Sequence, residues 1–305
     1  GAGVCKKDAA QGGNSDRRGD GGGTPCRIGG ELLSVFHKNN KKETAISAGV
    51  KLTVLPLLTE RMEGTFDIYQ ALIEALTRND ARLEEGDVIV ISTKYVSNSQ
   101  GRIIESSSVK ASEEGKRISK RFRIEPEIAE VVMRESDKIF GGTAGFLITS
   151  SDNIMAPNAG IDRSNVRKGR IVLYPKDPFK TAEEIRRKIL LNSSIHVGII
   201  LVDSRLMPAR VGTAGVAVSC AGLEPILDMR AKRDLDGNPL KVTFQAVADN
   251  LATIANHKMG EGAESRPFAI IRDSGACITD RKIGPSEMAV LPDQCVYVRG
   301  LSNPP

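Results

Sequence analysis

Apolar side chains recur along this chain at two spacings, one suited to helices and one to buried strands. Residues 52–58 read as a strand that ends at Pro56. Thr65 is placed to cap a helix, because Phe66, Tyr69, Leu72, Ile73 and Leu76 follow at helical spacing. A turn at Glu85-Gly86-Asp87 precedes a strand over 88–91. Pro126 opens a helix with Ile128, Val131 and Val132 on one face. Thr181 and Glu184 have capping-box spacing and predict a helix through Ile185 and Ile189. Residues 197–202 are apolar on both faces, as a central strand requires. A helix over 245–259 ends at Gly260, which suits a C-terminal cap. Short strands are expected at 268–271 and 296–298. Helices and strands do not alternate strictly, so the pattern favours an α+β fold over a doubly wound sheet.

Composition divides the chain. Residues 1–48 are rich in Gly, Asp, Arg, Asn and Lys, and cannot bury enough apolar surface to offset their chain entropy. They are expected to be a disordered basic tail, with one folded region over 49–305. Aromatic residues make up 4% and Trp is absent, so core volume must come from Ile, Leu, Val and Ala. The formal net charge is +5, and the first 50 residues hold eight Lys and Arg against five Asp and Glu. The remainder is close to neutral, and with few aromatics to stack bases no nucleic-acid partner is expected. Apolar runs such as 197–202 are far too short to span a bilayer, so no membrane partner is expected either. The five cysteines lack metal-site spacing, and the first residues lack the charged-then-apolar pattern of a secretory leader. A reducing cytoplasm is the expected compartment.

Candidate chemistry lies in carboxylates. Asp203 and Ser204 follow the buried run 197–202, at a sheet edge where ligands gather. Asp162 lies in a turn-rich stretch, and Glu261 sits between Gly260 and Gly262. Such oxygen donors suit a hard divalent cation shared with nucleotide phosphate. Read alone, each acid is more often a solvated loop residue. The two glycines expose backbone N–H groups to phosphate or simply end a helix. There is no phosphate-loop motif, no GxGxxG fingerprint and no GxSxG elbow. His37, His196 and His257 have no partner at metal-ligand spacing.

Several ordered motifs together resemble one family. They are Asn158-Ala-Gly-Ile-Asp-Arg-Ser-Asn165, Tyr174-Pro-Lys-Asp-Pro178, Asp203-Ser204 with Arg210, Gly212 and Gly215, Asp228-Met-Arg230 with Arg233, Gln245-Ala-Val-Ala-Asp249, and Met259-Gly-Glu-Gly262. With Gly86 to Lys94 upstream, and Gly101-Arg102, the likeness covers about residues 52–272. The chain resembles the coenzyme F420-0:L-glutamate ligases. That resemblance implies a two-lobed α+β subunit in an intertwined homodimer. It implies GTP as co-substrate, two divalent cations (Mn²⁺ or Mg²⁺), K⁺, and coenzyme F420-0 and L-glutamate as substrates.

By motif position Asp162 and Asp203 would hold one metal, and Ser204 and Glu261 the other, with the three acids catalytic. GTP contacts would fall on Leu55, Pro56, Leu57, Leu58, Thr93, Lys94, Asn98 and Asn165. Further contacts would come from Met259, Gly260, Glu261, Gly262, Ala263, Glu264, Ser265 and Arg266. Arg210, Arg230 and Arg233 either hold anionic substrate or form surface ion pairs. The chain departs from the family pattern at Ser204 (usually Thr), Asn98 (Lys), Gln100 (Glu) and Ala231 (Gly). A ligase acting on another carboxylate, or a nucleotide-binding module without catalysis, are the alternative readings.

Overall fold

Four neighbouring residues, Val88, Ile89, Val90 and Ile91, are all fully buried, which needs a strand covered on both faces. The computed structural model provides this cover. It describes residues 51–302 except 63, 152, 153 and 231, so the expected tail and Ala231 lie outside the described residues. The chain runs through β1 (Thr53–Leu57), α1 (Ile68–Arg78), β2 (Val88–Ser92), α2 (Thr93–Ser99) and β3 (Ile103–Glu105). Next come α3 (Glu113–Phe122), α4 (Pro126–Glu135), β4 (Lys138–Thr143), β5 (Phe146–Ser151), β6 (Ile154–Pro157) and β7 (Arg170–Val172). They lead into α5 (Pro178–Ser193), β8 (Gly198–Leu206) and β9 (Thr213–Ala221). The last elements are β10 (Ile226–Asp228), β11 (Phe244–Ala246), α6 (Val247–Met259), β12 (Phe268–Arg272) and α7 (Val296–Ser302). Mixed sheets and helices in this order make an α+β fold.

The central sheet has the order β1-β12-β2-β8-β9, with β2 and β8 parallel and the other neighbours antiparallel. Strand periodicity sends alternate residues to opposite layers. Ile89, Ile91, Ile199, Leu201, Phe268 and Ile270 pack with Leu72 and Leu76 of α1 and Ile185 and Ile189 of α5. Val88, Val90, Ile200, Val202, Ala269 and Ile271 pack with Leu251, Ala252 and Ala255 of α6. A third cluster joins Ile128, Val131 and Val132 of α4 to Leu147, Ala159, Ile171 and Leu173. It is served by the sheet β4-β5-β6 and the pair β3-β7.

Several expectations need correction. Pro56 lies inside β1, not at its end; β1 is an edge strand, where a missing N–H is tolerated. Asp67, not Thr65, caps α1, accepting from the backbone of Tyr69 and Gln70. The helix expected from Thr181 starts earlier, at Pro178, whose fixed φ suits a first turn. Residues 244–246 pair with β10, so α6 begins at Val247 and not at Gln245. Residues 296–298 are helical; three apolar residues in a row do not by themselves separate strand from helix. Among the described residues no helix is long and apolar enough to cross a membrane.

Candidate active site

The site grows from the ends of the central sheet. Strand β8 continues beyond its buried run, so Asp203 and Ser204 lie within it, paired in register with Val216 and Gly215. Asp203 accepts from Thr93 Oγ1 at 3.3 Å and from Arg205 Nε at 3.1 Å. The buried Arg205 also donates to the Met155 carbonyl at 2.6 Å, tying β8 to β6.

Asp162 arrives from the third cluster. Asn158, Ala159 and Gly160 all take positive φ, a costly geometry for the first two. Leu147 N–H donates to Asn158 Oδ1 at 2.8 Å, and Ala159 N–H to Thr149 Oγ1 at 2.8 Å, which pins the turn. At Gly160 a Cβ would meet the Tyr174 ring at 2.8 Å. Asp162 then bridges to Val172 through paired backbone hydrogen bonds. Its carboxylate takes Lys94 Nζ at 2.6 Å and Ser164 N–H at 2.6 Å. Burial pushes this carboxyl up, but the Lys94 and Ser164 donors outweigh it and hold Asp162 below the usual range.

Glu261 follows Gly260, whose φ of 86° lets the chain leave α6. Its carboxylate takes the Ser204 hydroxyl and Asn256 Nδ2. Glu264 folds back onto the same loop, accepting from Gly262 N–H at 2.7 Å. Asn165 donates to the Gly262 carbonyl at 2.9 Å and so joins the 158–165 stretch to this loop. Ser265 and Thr59 exchange hydrogen bonds at 2.8 Å, lacing the loop before β12 to the one after β1.

These segments surround one cavity of about 530 Å³. Asp162, Asp203, Ser204 and Glu261 all line it, although they are distant in sequence. So do Thr93, Lys94, Asn98, Asn165 and the whole stretch 259–266. Leu55, Pro56, Leu57 and Leu58 do not; Leu57 is buried in the core and Leu58 hydrogen-bonds Asn79. Arg210, Arg230 and Arg233 are absent from the lining, and Arg230 pairs with Asp228 and stacks over Phe244. Gln100 is also away from it, its amide bonded to Lys176 and Thr181.

The donor set is oxygen-rich, carboxylate and hydroxyl without His or Cys, which fits a hard divalent cation. Among the described residues, no three His, Cys, Asp or Glu side chains gather tightly enough to hold a metal by themselves. A bound ion would therefore take part of its shell from hydroxyls, water or substrate oxygens. Asn256, Tyr95 and Arg205 escaped the sequence reading, because single polar residues inside regular elements carry no fingerprint. Cys220 is no nucleophile, since burial pushes its thiol up to about 12.

A family model described as F420-0:Gamma-glutamyl ligase matches residues 57–273. Similar proteins include one named Coenzyme F420:L-glutamate ligase from Methanothermobacter thermautotrophicus. It is 38% identical over 207 residues, covering 68% of this chain and 82% of the relative. A protein of the same name from Methanococcus maripaludis is 35% identical over 236 residues, 77% of this chain and 93% of its own. One from Methanopyrus kandleri is 35% identical over 198 residues, 65% of this chain and 79% of its own. Since the match takes in the strands, turns and loops that frame the cavity, the chain belongs to the F420-0:gamma-glutamyl ligase family.

Proposed function

We propose that this chain joins L-glutamate to coenzyme F420-0 through an amide bond, using GTP. What carries the reading is the meeting of Asp162, Asp203, Ser204 and Glu261 with the 259–266 loop in one cavity, in a chain of this family.

A carboxylate is a poor electrophile, so it must be activated before an amine can attack. In this reading a carboxylate oxygen of the coenzyme precursor attacks the γ-phosphorus of GTP. The bond to the bridging oxygen breaks, GDP leaves and an acyl phosphate forms. The glutamate nitrogen, free of its proton, then attacks the acyl carbon, and inorganic phosphate leaves with the C–O bond electrons. Positioning and charge stabilisation supply most of the acceleration in such transfers.

Asp162 and Asp203 would hold one divalent cation, Ser204 and Glu261 a second. Mn²⁺ or Mg²⁺ there would neutralise charge on the transferring group. Lys94 is the nearest fixed cation, 2.6 Å from Asp162, and lies where it can also meet a phosphate oxygen. The 259–266 loop offers backbone N–H groups; Glu264 now accepts from Gly262, which marks that N–H as an anion-binding donor. Tyr95 and Met259 give apolar wall to the cavity. The same reading includes K⁺ as a further requirement, a homodimer of two-lobed subunits and a cytoplasmic setting. Exposed apolar side chains at Val211, Leu235 and Val242 suit burial by a second copy.

The test is incubation of purified protein with coenzyme F420-0, GTP, Mn²⁺, K⁺ and glutamate. The expected result is GDP release with product heavier by one glutamate, and no product sinks the proposal. Asp162→Ala and Glu261→Ala are each expected to lower turnover about 100-fold or more while the circular dichroism spectrum is kept. Near-normal turnover in either contradicts its assignment.

A further inference from the structure

Glu261 stands just beyond the C-terminal end of α6, where the helix dipole is negative and repels a carboxylate. No lysine or arginine among the described residues forms an ion pair with it. Neutral donors hold it instead. Asn256 Nδ2 lies 2.7 Å from Glu261 Oε1 and 3.0 Å from Ser204 Oγ. An ionised carboxylate only accepts, so chemistry itself directs the amide nitrogen, not the oxygen, towards Glu261. One side chain thus spans a strand residue and a loop residue.

Its own placement is strictly set. The Asn256 carbonyl accepts from Gly260 N–H at 3.0 Å, so its backbone ends the helix while its side chain catches the residue beyond. Gly215, the register partner of Ser204, faces it: a Cβ there would come within 2.5 Å of Asn256 Cβ and 2.7 Å of the Ala252 carbonyl. That missing side chain lets α6 lie close on β9, and Thr253 Oγ1 fastens it with a 2.7 Å hydrogen bond to the Gly215 carbonyl. Two neutral donors orient the Glu261 carboxylate.

We infer that Asn256 is a positioning residue, which presents Glu261 and Ser204 together to one divalent cation. The inference rests on the metal reading above. It acts through those two groups and requires no contact with the reacting atoms. Orienting partners of this kind are commonly worth 10–100-fold in metal affinity.

The experiment follows free Mn²⁺ by electron paramagnetic resonance as it is titrated into the full chain without nucleotide. Metal-free thermal melts are recorded beside it. Asn256→Ala is expected to weaken Mn²⁺ binding about 10- to 100-fold, with the metal-free melt close to wild type. Asn256→Leu, similar in shape but without donors, is the second variant should Ala fail to fold, and the same loss is expected. Wild-type affinity in a folded variant overturns the inference alone. Absence of Mn²⁺ binding by the wild type, both in this titration and when it is repeated with GTP present, overturns the metal reading, and this inference with it.

Discussion

Glu130 shows how a single carboxylate organises the start of a mostly charged helix, α3. It is buried, and it accepts from the Ser112 backbone at 2.9 Å and the Ser112 hydroxyl at 2.6 Å. Ser112 in turn caps α3 through Gly115 N–H. A Cβ at Gly115 would lie 2.6 Å from Glu130 Oε2, which explains a glycine inside a helix. The Ser112 hydroxyl, then its backbone N–H, hold the Glu130 carboxyl below the usual range against the opposing effect of burial, with Arg134 assisting. A depressed folded value means that this stabilisation is present above the ordinary glutamate value of about 4.3 and is lost as pH falls through the folded one. Glu130→Gln is therefore expected to cost about 1–3 kcal/mol near neutrality, where hydrogen bonds to a charged acceptor are lost. Urea midpoints of variant and wild type should converge in acid. A gap that stays constant with pH would mean that the charge is irrelevant.

At the scale of elements, the crossing of α6 over β9 is the most confined contact near the site. Gly215→Ala adds a methyl against Asn256 and against backbone at Ala252, which cannot rotate away. The expected cost is about 1–3 kcal/mol in urea denaturation, with turnover reduced through Ser204 and Glu261. Unchanged stability would show that α6 can shift freely.

Those elements were unequally legible in the sequence. Strands β2 and β8 announce themselves through the apolar runs 88–91 and 197–202, though β8 continues past its run to Leu206, and α4 through its proline start and apolar face. Helix α3 does not, because Glu113–Phe122 is mostly charged and owes its existence to the Ser112 cap and to packing on α4. Strand β9 is built from small residues whose strand character lies in pairing with β8. Asp162 and Glu261 could be picked out near glycines, and Asp203 at the end of an apolar run. Their partners Arg205 and Asn256 could not, since only the folded register shows what they touch.

For the molecule as a whole, the decisive feature is where the site's parts are anchored. Asp162 hangs from the third cluster, Asp203 and Ser204 from the central sheet, and Glu261 from the end of α6. A ligand that engages all of them binds the native chain and not the unfolded one, so it must raise stability by mass action. At a hundredfold excess over its dissociation constant that amounts to about 2.7 kcal/mol. For a folded body of this size, the thermal midpoint should rise by about 5–10 °C. Trp is absent, so calorimetry or circular dichroism is the suitable probe rather than indole fluorescence. Mn²⁺ with GTP is expected to give this shift, and a chelator to remove it. Asp162→Ala and Glu261→Ala should each abolish most of it, although their side chains belong to different parts of the fold. If both variants kept the full shift, the ligand would be held elsewhere on the chain. If only one lost it, the site would be confined to that residue's own part of the structure.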